Sequence, residues 1–268
     1  GNTLDGSWDH ELRTVLQLRH PNLVLVLGYV NEVVEERGGA VRLVEPMALI
    51  SEYCNGGTLF RALHRDTYRL TWRQRLKILY DVAVACRYLH SAGLIHRDLK
   101  SLNILLDRKV KNVTDIPKAK ITDFGMCVPN PTGRAGTYQW MAPEVYLMLP
   151  SQGAKQDVYS FGVLIYECVA NCIPYSNLQT ANHNIAHLAA TKGIRPDPRS
   201  LPNDMPSQLQ YVQHNCTRET KSKTHSLRFR NLMVQCWLHE PEKRPNFSEI
   251  SDTLGSLYKQ SCGNSSQQ

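Results

Sequence analysis

The strongest constraint on what this 268-residue chain can become is one stretch, residues 95–125. It reads I-H-R-D-L-K-S-L-N-I-L-L-D, then a polar spacer, then K-I-T-D-F-G. Upstream of it, residues 70–90 repeat apolar side chains at helical spacing, with Leu76, Ile78, Leu79, Val82, Val84, Ala85 and Leu89 as core candidates. Gly93 supplies the stop signal, so a long helix delivers the chain to the polar stretch. Residues 107–118 form a polar turn inside it, read as a surface hairpin. Residues 126–141 lack periodicity and hold Pro129, Pro131, Gly133 and Gly136, the mark of an irregular segment.

Composition narrows the function classes. With 42% hydrophobic and 21% charged residues the chain reads as an ordinary globular protein. The longest apolar run, 158–170, is interrupted by Ser160 and Glu167 and is too short for a membrane span. Residues 1–10 are polar, so no signal peptide is expected. Net charge is +7, but Lys and Arg are dispersed apart from small clusters such as 218–223, which argues against nucleic acid. None of the eight cysteines is spaced as CxxC. Cys168 and Cys172 are read as packing on one helix face. The sequons at Asn112, Asn215, Asn246 and Asn264 are read as unused, and the compartment as a reducing one, the cytoplasm or the nucleus.

His96-Arg97-Asp98, Lys100, Asn103 and Asp123-Phe124-Gly125 together resemble the catalytic and metal-binding loops of protein kinases. A lone Asp-Phe-Gly would be weak. Joined to His-Arg-Asp and an Asn five residues after that Asp, the pattern is specific. The resemblance implies an α+β, two-lobe fold with a truncated small lobe and a mainly helical large lobe. The lobes are expected at 1–54 and 55–260, with 261–268 a disordered tail. It implies ATP and Mg²⁺ as cofactors, and phosphoryl transfer is chemistry of positioning and charge neutralisation. On that pattern Asp98 faces the substrate hydroxyl, Lys100 stabilises the transferring group, and Asn103 and Asp123 hold Mg²⁺.

Further phrases extend the likeness. Residues 9–19, with H-P-N-L-V following, resemble the regulatory helix of the small lobe, with Glu11 as its ion-pairing residue. Residues 23–30 read as a buried strand, and Gly38-Gly39 as a turn within a long hairpin. Residues 47–53 read as the next strand, running into Glu52-Tyr53-Cys54, which resembles the hinge whose backbone bonds adenine. Ser51 reads as a small gatekeeper or as an ordinary buried strand serine. Thr132, within the activation segment, reads either as a phosphorylated residue pairing with Arg97 or as an unmodified loop residue. Thr137 is expected to line the peptide-docking site. Asp157 is expected to hold the catalytic-loop backbone, and Arg244 to pair with Glu144. Residues 201–226 read as a polar insertion, a mobile loop or the dock for a regulatory protein partner, before helices at 227–237 and 247–258.

Lys100, two residues after Asp98, follows the Ser/Thr arrangement. The phrases H-R-D-L-K-S-L-N-I-L-L and G-T-Y-Q-W-M-A-P-E-V resemble the tyrosine-kinase-like group, which includes Raf-like and mixed-lineage kinases. The expected substrates are Ser/Thr protein hydroxyls in signalling. The chain departs from the pattern at its start: no Gly-rich loop precedes residue 11, and the first lysine is Lys77. Two expectations follow, a fragment of an active kinase with little activity by itself, or a pseudokinase-like interaction and scaffold module without turnover.

Overall fold

A threonine and a glutamine fix where the central helix begins. Thr71 Oγ1 accepts from Gln74 N at 3.3 Å and Gln74 Oε1 accepts from Thr71 N at 2.8 Å, a reciprocal cap satisfying two donors otherwise left over at a helix start. The structure, a computed structural model, describes residues 16–35, 41–129, 131–150, 153–197, 201–202 and 229–263. Its element order is β1 (Val26–Glu35), β2 (Val41–Ser51), β3 (Gly57–Thr58), α1 (Leu59–His64), α2 (Trp72–Ser91), β4 (Ile104–Leu106), β5 (Ala119–Ile121), α3 (Pro143–Tyr146), α4 (Lys155–Ala170), α5 (Asn182–Thr191), α6 (Phe229–Cys236) and α7 (Phe247–Gly263).

The architecture is α+β. Strands β1 and β2 form an antiparallel hairpin, and β3, β4 and β5 form a second antiparallel sheet in that order. Between them the chain at 22–24 bonds alongside β5: Val24 N donates to Ile121 O at 2.8 Å and Ile121 N to Asn22 O at 2.9 Å. Asn22 Nδ2 adds a bond to Ala119 O at 2.9 Å, which ties the hairpin to the helical body.

Helix α4 is the body's axis. Every residue from Gln156 to Val169 is buried, as an all-round apolar helix at the centre of a lobe must be. Its glycine is there for packing, since a Cβ on Gly162 would lie 2.9 Å from the Cβ of Cys236 in α6. Helix α2 buries the expected core residues, except that Val84 is half-buried.

Several expectations need correction. The strand expected at 23–30 begins at Val26, and its apolar run is not buried throughout: Leu23, Val24 and Val26 are, while Leu27, Tyr29 and Val30 are exposed. A strand alternates faces, so a continuous apolar run is buried only where both faces are covered. Cys172 does not share a helix face with Cys168, because Asn171 turns left-handed (φ 52°) and ends α4 before it. The last helix continues past 258 to Gly263, through the first residues expected as tail. Most of 9–19, all of 203–228 and 264–268 lie outside the described residues.

Candidate active site

One buried carboxylate shapes the loop at 95–103. Asp157, fully buried at the first turn of α4, accepts from the backbone N–H of His96 (Oδ2, 2.8 Å) and of Arg97 (Oδ1, 2.8 Å). His90 Nε2 adds a contact at 2.8 Å to Oδ2. These bonds hold Arg97 at φ 72°, a left-handed conformation that a non-glycine residue keeps only when its surroundings over-determine it. Burial pushes the Asp157 carboxyl up, but the His90 bond, the two histidines and the backbone donors outweigh it, leaving it below the ordinary value.

The loop so held presents Asp98, itself buried. Its Oδ1 accepts from Thr137 N at 2.9 Å and Thr137 Oγ1 at 2.7 Å. Its Oδ2 accepts from Lys100 Nζ at 2.5 Å and Asn103 Nδ2 at 3.1 Å. Burial raises this carboxyl, and the bonds from Lys100, Thr137 and Asn103 with the Lys100 charge bring it below the usual carboxylate value, so it is ionised at neutral pH. Lys100 Nζ also donates to Thr137 Oγ1 at 2.7 Å.

Asp123 is brought up to this loop through its neighbour. Thr122 N donates to Asn103 O at 3.0 Å, and His96 Nε2 meets Thr122 O at 3.0 Å. Phe124 is buried edge-on to the His96 ring, centroids 6.0 Å apart. Asp123 itself, at φ 65°, is exposed, and its carboxylate has no partner among the described residues. The Oδ1 of Asn103 likewise accepts nothing among them, its Nδ2 being bonded to Asp98 O and Oδ2. An undonated carboxylate and an undonated amide oxygen on adjoining loops suit Mg²⁺, which takes few protein ligands and completes its shell with phosphate and water. A dedicated cage is not what the chain offers: among the described residues no cluster of three His, Cys, Asp or Glu is placed to hold a metal.

At the hinge, Glu52 turns its side chain away from ligand duty. Its Oε1 accepts from Leu25 N at 2.8 Å and from Lys120 Nζ at 2.7 Å, while Glu52 N donates to Leu25 O at 2.9 Å. The carbonyl of Glu52 and the N–H of Cys54 make no hydrogen bond among the described residues. An acceptor and a donor two residues apart are therefore open for a planar heterocycle, and backbone groups of this kind are rarely left unpaired when covered. Tyr53 is 86% exposed and Cys54 buried; Ser51 is exposed rather than a buried strand serine. Glu11 lies outside the described residues.

The activation segment reaches back to the same loop. Arg97 Nη2 donates to the backbone carbonyl of exposed Thr132 at 2.8 Å. Thr137, expected to line the peptide-docking site, bonds Asp98 and Lys100 directly. Its approach needs Gly136, at φ 106°, where a Cβ would lie 2.5 Å from Arg97 O. That Gly-Thr pair after an aperiodic loop is the signal that would have placed Thr137 in the site. Behind the segment, Arg244 grips Glu144 in a fork, 2.6 Å and 2.8 Å, both side chains buried. Two further contacts have no sequence signal: the Glu52–Lys120 pair, and buried Glu167 receiving Ser101 Oγ at 2.6 Å beside His64.

Comparison with known proteins bears on the chain as a whole. The family described as protein kinase domain matches residues 3–254. Serine/threonine-protein kinase CTR1 of Arabidopsis thaliana is 33% identical over 93% of this chain and 26% of its own length. The RGS domain-containing serine/threonine-protein kinase A of Dictyostelium discoideum is 34% identical over 81% of this chain and 16% of its own. Dual specificity protein kinase pyk3 of the same organism is 29% identical over 94% and 16%. The chain thus spans about a quarter or less of the length of these relatives.

Proposed function

This chain belongs to the protein kinase family, and from that membership we propose that it transfers the γ-phosphate of ATP to serine or threonine hydroxyls of proteins. The observation that carries the reading is the environment of Thr137 Oγ1. An aliphatic hydroxyl there lies 2.7 Å from the Asp98 carboxylate and 2.7 Å from the Lys100 ammonium. A substrate hydroxyl needs the same two partners, one to take or orient its proton and one to face the incoming charge.

Asp98, kept ionised by its donors, holds the substrate hydroxyl at a carboxylate oxygen, each of which has lone pairs to accept more than one bond. Because its carboxyl lies below the ordinary value, Asp98 is a weak base that orients the hydroxyl and receives its proton late. Lys100 faces the transferring group with fixed positive charge. Asn103 Oδ1 and Asp123 would hold Mg²⁺, which when bound neutralises phosphate charge. The open Glu52 carbonyl and Cys54 N–H would bond the adenine edge, and exposed Ser51 would border that pocket. Glu11 would serve as the ion-pairing residue of the regulatory helix. Phosphate on Thr132 would draw Arg97 from the carbonyl it now bonds toward a stronger, charge-assisted pair. The lobes would divide at 54. Among the described residues no helix is long and apolar enough to cross a membrane. Cys54, Cys86, Cys168, Cys172, Cys236 and Cys262 are free thiols, which suits a reducing compartment such as the cytoplasm.

The test uses the full-length protein with radiolabelled ATP and a generic Ser/Thr substrate. Asp98→Asn is expected to lower phosphate incorporation by about 10²–10⁴-fold. Equal incorporation by both proteins would remove Asp98 from the chemistry. No incorporation by either, with nucleotide still bound, would favour the interaction-module reading.

A further inference from the structure

We infer that a pocket on the flank of the hinge, away from the catalytic loop, is a docking site for an acidic segment of a partner or substrate protein. The cavity holds about 250 Å³ and lies half open between α1, the connection that follows it, and the turn joining β4 to β5. Arg61, Asp66, Tyr68, Lys109, Val110 and Lys111 line it.

Its charge is unbalanced. Three cations face one carboxylate, and that carboxylate is already engaged, Asp66 Oδ1 receiving Arg61 Nε at 3.0 Å. The two Nη groups of Arg61 and the ammonium groups of Lys109 and Lys111 have no partner among the described residues. Arg65 and Arg69 on one bordering segment and Arg108 on the other add to the positive field, only Arg108 being paired, with Asp107.

The walls are fixed. Gln74, fully buried at the start of α2, donates through Nε2 to Asn112 O at 2.8 Å and Asp115 O at 2.9 Å. Asp115 Oδ2 receives Lys111 N at 2.8 Å, and Asp107 Oδ1 receives Lys118 N at 2.8 Å. The lysines therefore project from a pinned turn, so binding need order only their side chains. Gly56 sets the turn hard against the hinge: a Cβ there would lie 2.4 Å from Arg108 O.

A guanidinium fork beside two ammonium groups recognises carboxylate or phosphoryl oxygens. Tyr68 and Val110 offer apolar wall to the methylenes of a glutamate or aspartate side chain. A nucleic-acid strand would need an exposed ring to stack its bases, and Tyr68 is half-buried with its hydroxyl on Gln74 Oε1 at 3.3 Å. The pocket is independent of Asp98, so the inference stands or falls apart from turnover.

The test is fluorescence anisotropy on the full chain with a labelled peptide of alternating glutamate and serine. Expected is binding that weakens as salt rises and weakens about tenfold or more in the Lys109→Glu, Lys111→Glu double variant. Lys192→Glu with Lys259→Glu changes net charge equally at exposed positions elsewhere and is expected to leave affinity within about twofold. A phosphoserine version that binds tighter supports the site with a phosphoryl group as preferred anion; equal binding supports it with carboxylate. Equal loss in both double variants, equal binding of a glutamine-for-glutamate peptide, or tighter binding of an oligonucleotide would overturn it. Should the glutamate double variant melt early, Lys109→Gln with Lys111→Gln provides the same comparison.

Discussion

The hairpin and the helical body use the same apolar residue types to opposite ends. In α4, Val158, Phe161, Val163, Leu164 and Ile165 are at most 1% exposed, whereas in β1 and β2 Leu27 is 62% exposed, Leu49 55% and Ile50 48%. The body is packed to a close core and uses it to hold charges in place. Asp157 fixes the catalytic loop and Arg244 fixes Glu144 through direct bonds. Among the described residues the hairpin is tied to that body by bonds at its base: Asn22 to Ala119, Val24 and Asn22 to Ile121, and Glu52 to Lys120. The candidate site therefore draws on a closely packed half, the loops bearing Asp98 and Asp123, and a more lightly tethered half, the expected hinge.

The difference predicts an order of mutational cost. Arg244→Met leaves Glu144 buried with no counter-charge, and is expected to cost about 3–5 kcal/mol in urea unfolding. Less than about 1 kcal/mol would mean that the body tolerates an unpaired buried charge, and the contrast with the hairpin would weaken.

Asp157→Asn removes a charged acceptor of three hydrogen bonds, and about 1.5–3 kcal/mol is expected near neutral pH. Its carboxyl is depressed in the folded state below the ordinary 3.8. The sign follows: the stabilisation is present above the unfolded value and disappears as pH falls through the folded one. The gap between wild type and variant should be widest above about pH 4 and close on further acidification. A gap that widens in acid would contradict the arrangement around His90, His96 and Arg97.

Leu49→Ser, on the exposed face of β2, is expected to change stability by no more than about 0.5 kcal/mol. A cost matching a core truncation would show that the hairpin face is covered in solution, and the two regions would no longer differ.

Much of the site was legible because its residues are close in sequence. Asp98, Lys100 and Asn103 share one loop, and Asp123 follows a hairpin whose polar turn and flanking apolar strands are both visible. Asp157 and the Glu144–Arg244 pair were legible from their motifs, although 100 residues separate the last two. That Thr137 bonds Asp98 was not legible, because its distance from Asp98 depends on how an aperiodic segment folds back, which no local pattern encodes. Lys120, in a strand of alternating burial, gave no sign that it would meet Glu52.

The sequence by itself determined the chemistry on offer: which loop carries carboxylate, ammonium and amide, where the long helices start and stop, and that α4 is buried on every side. Periodicity, caps and close spacing are local properties, and the chain states them outright. Tertiary structure alone decided that Thr137 bonds Asp98, that Glu52 serves as a brace, that an apolar strand run is half exposed, and that basic side chains from two distant segments line one pocket. Each of these depends on contacts between residues far apart in the chain, set by how the core packs and where buried charges find partners.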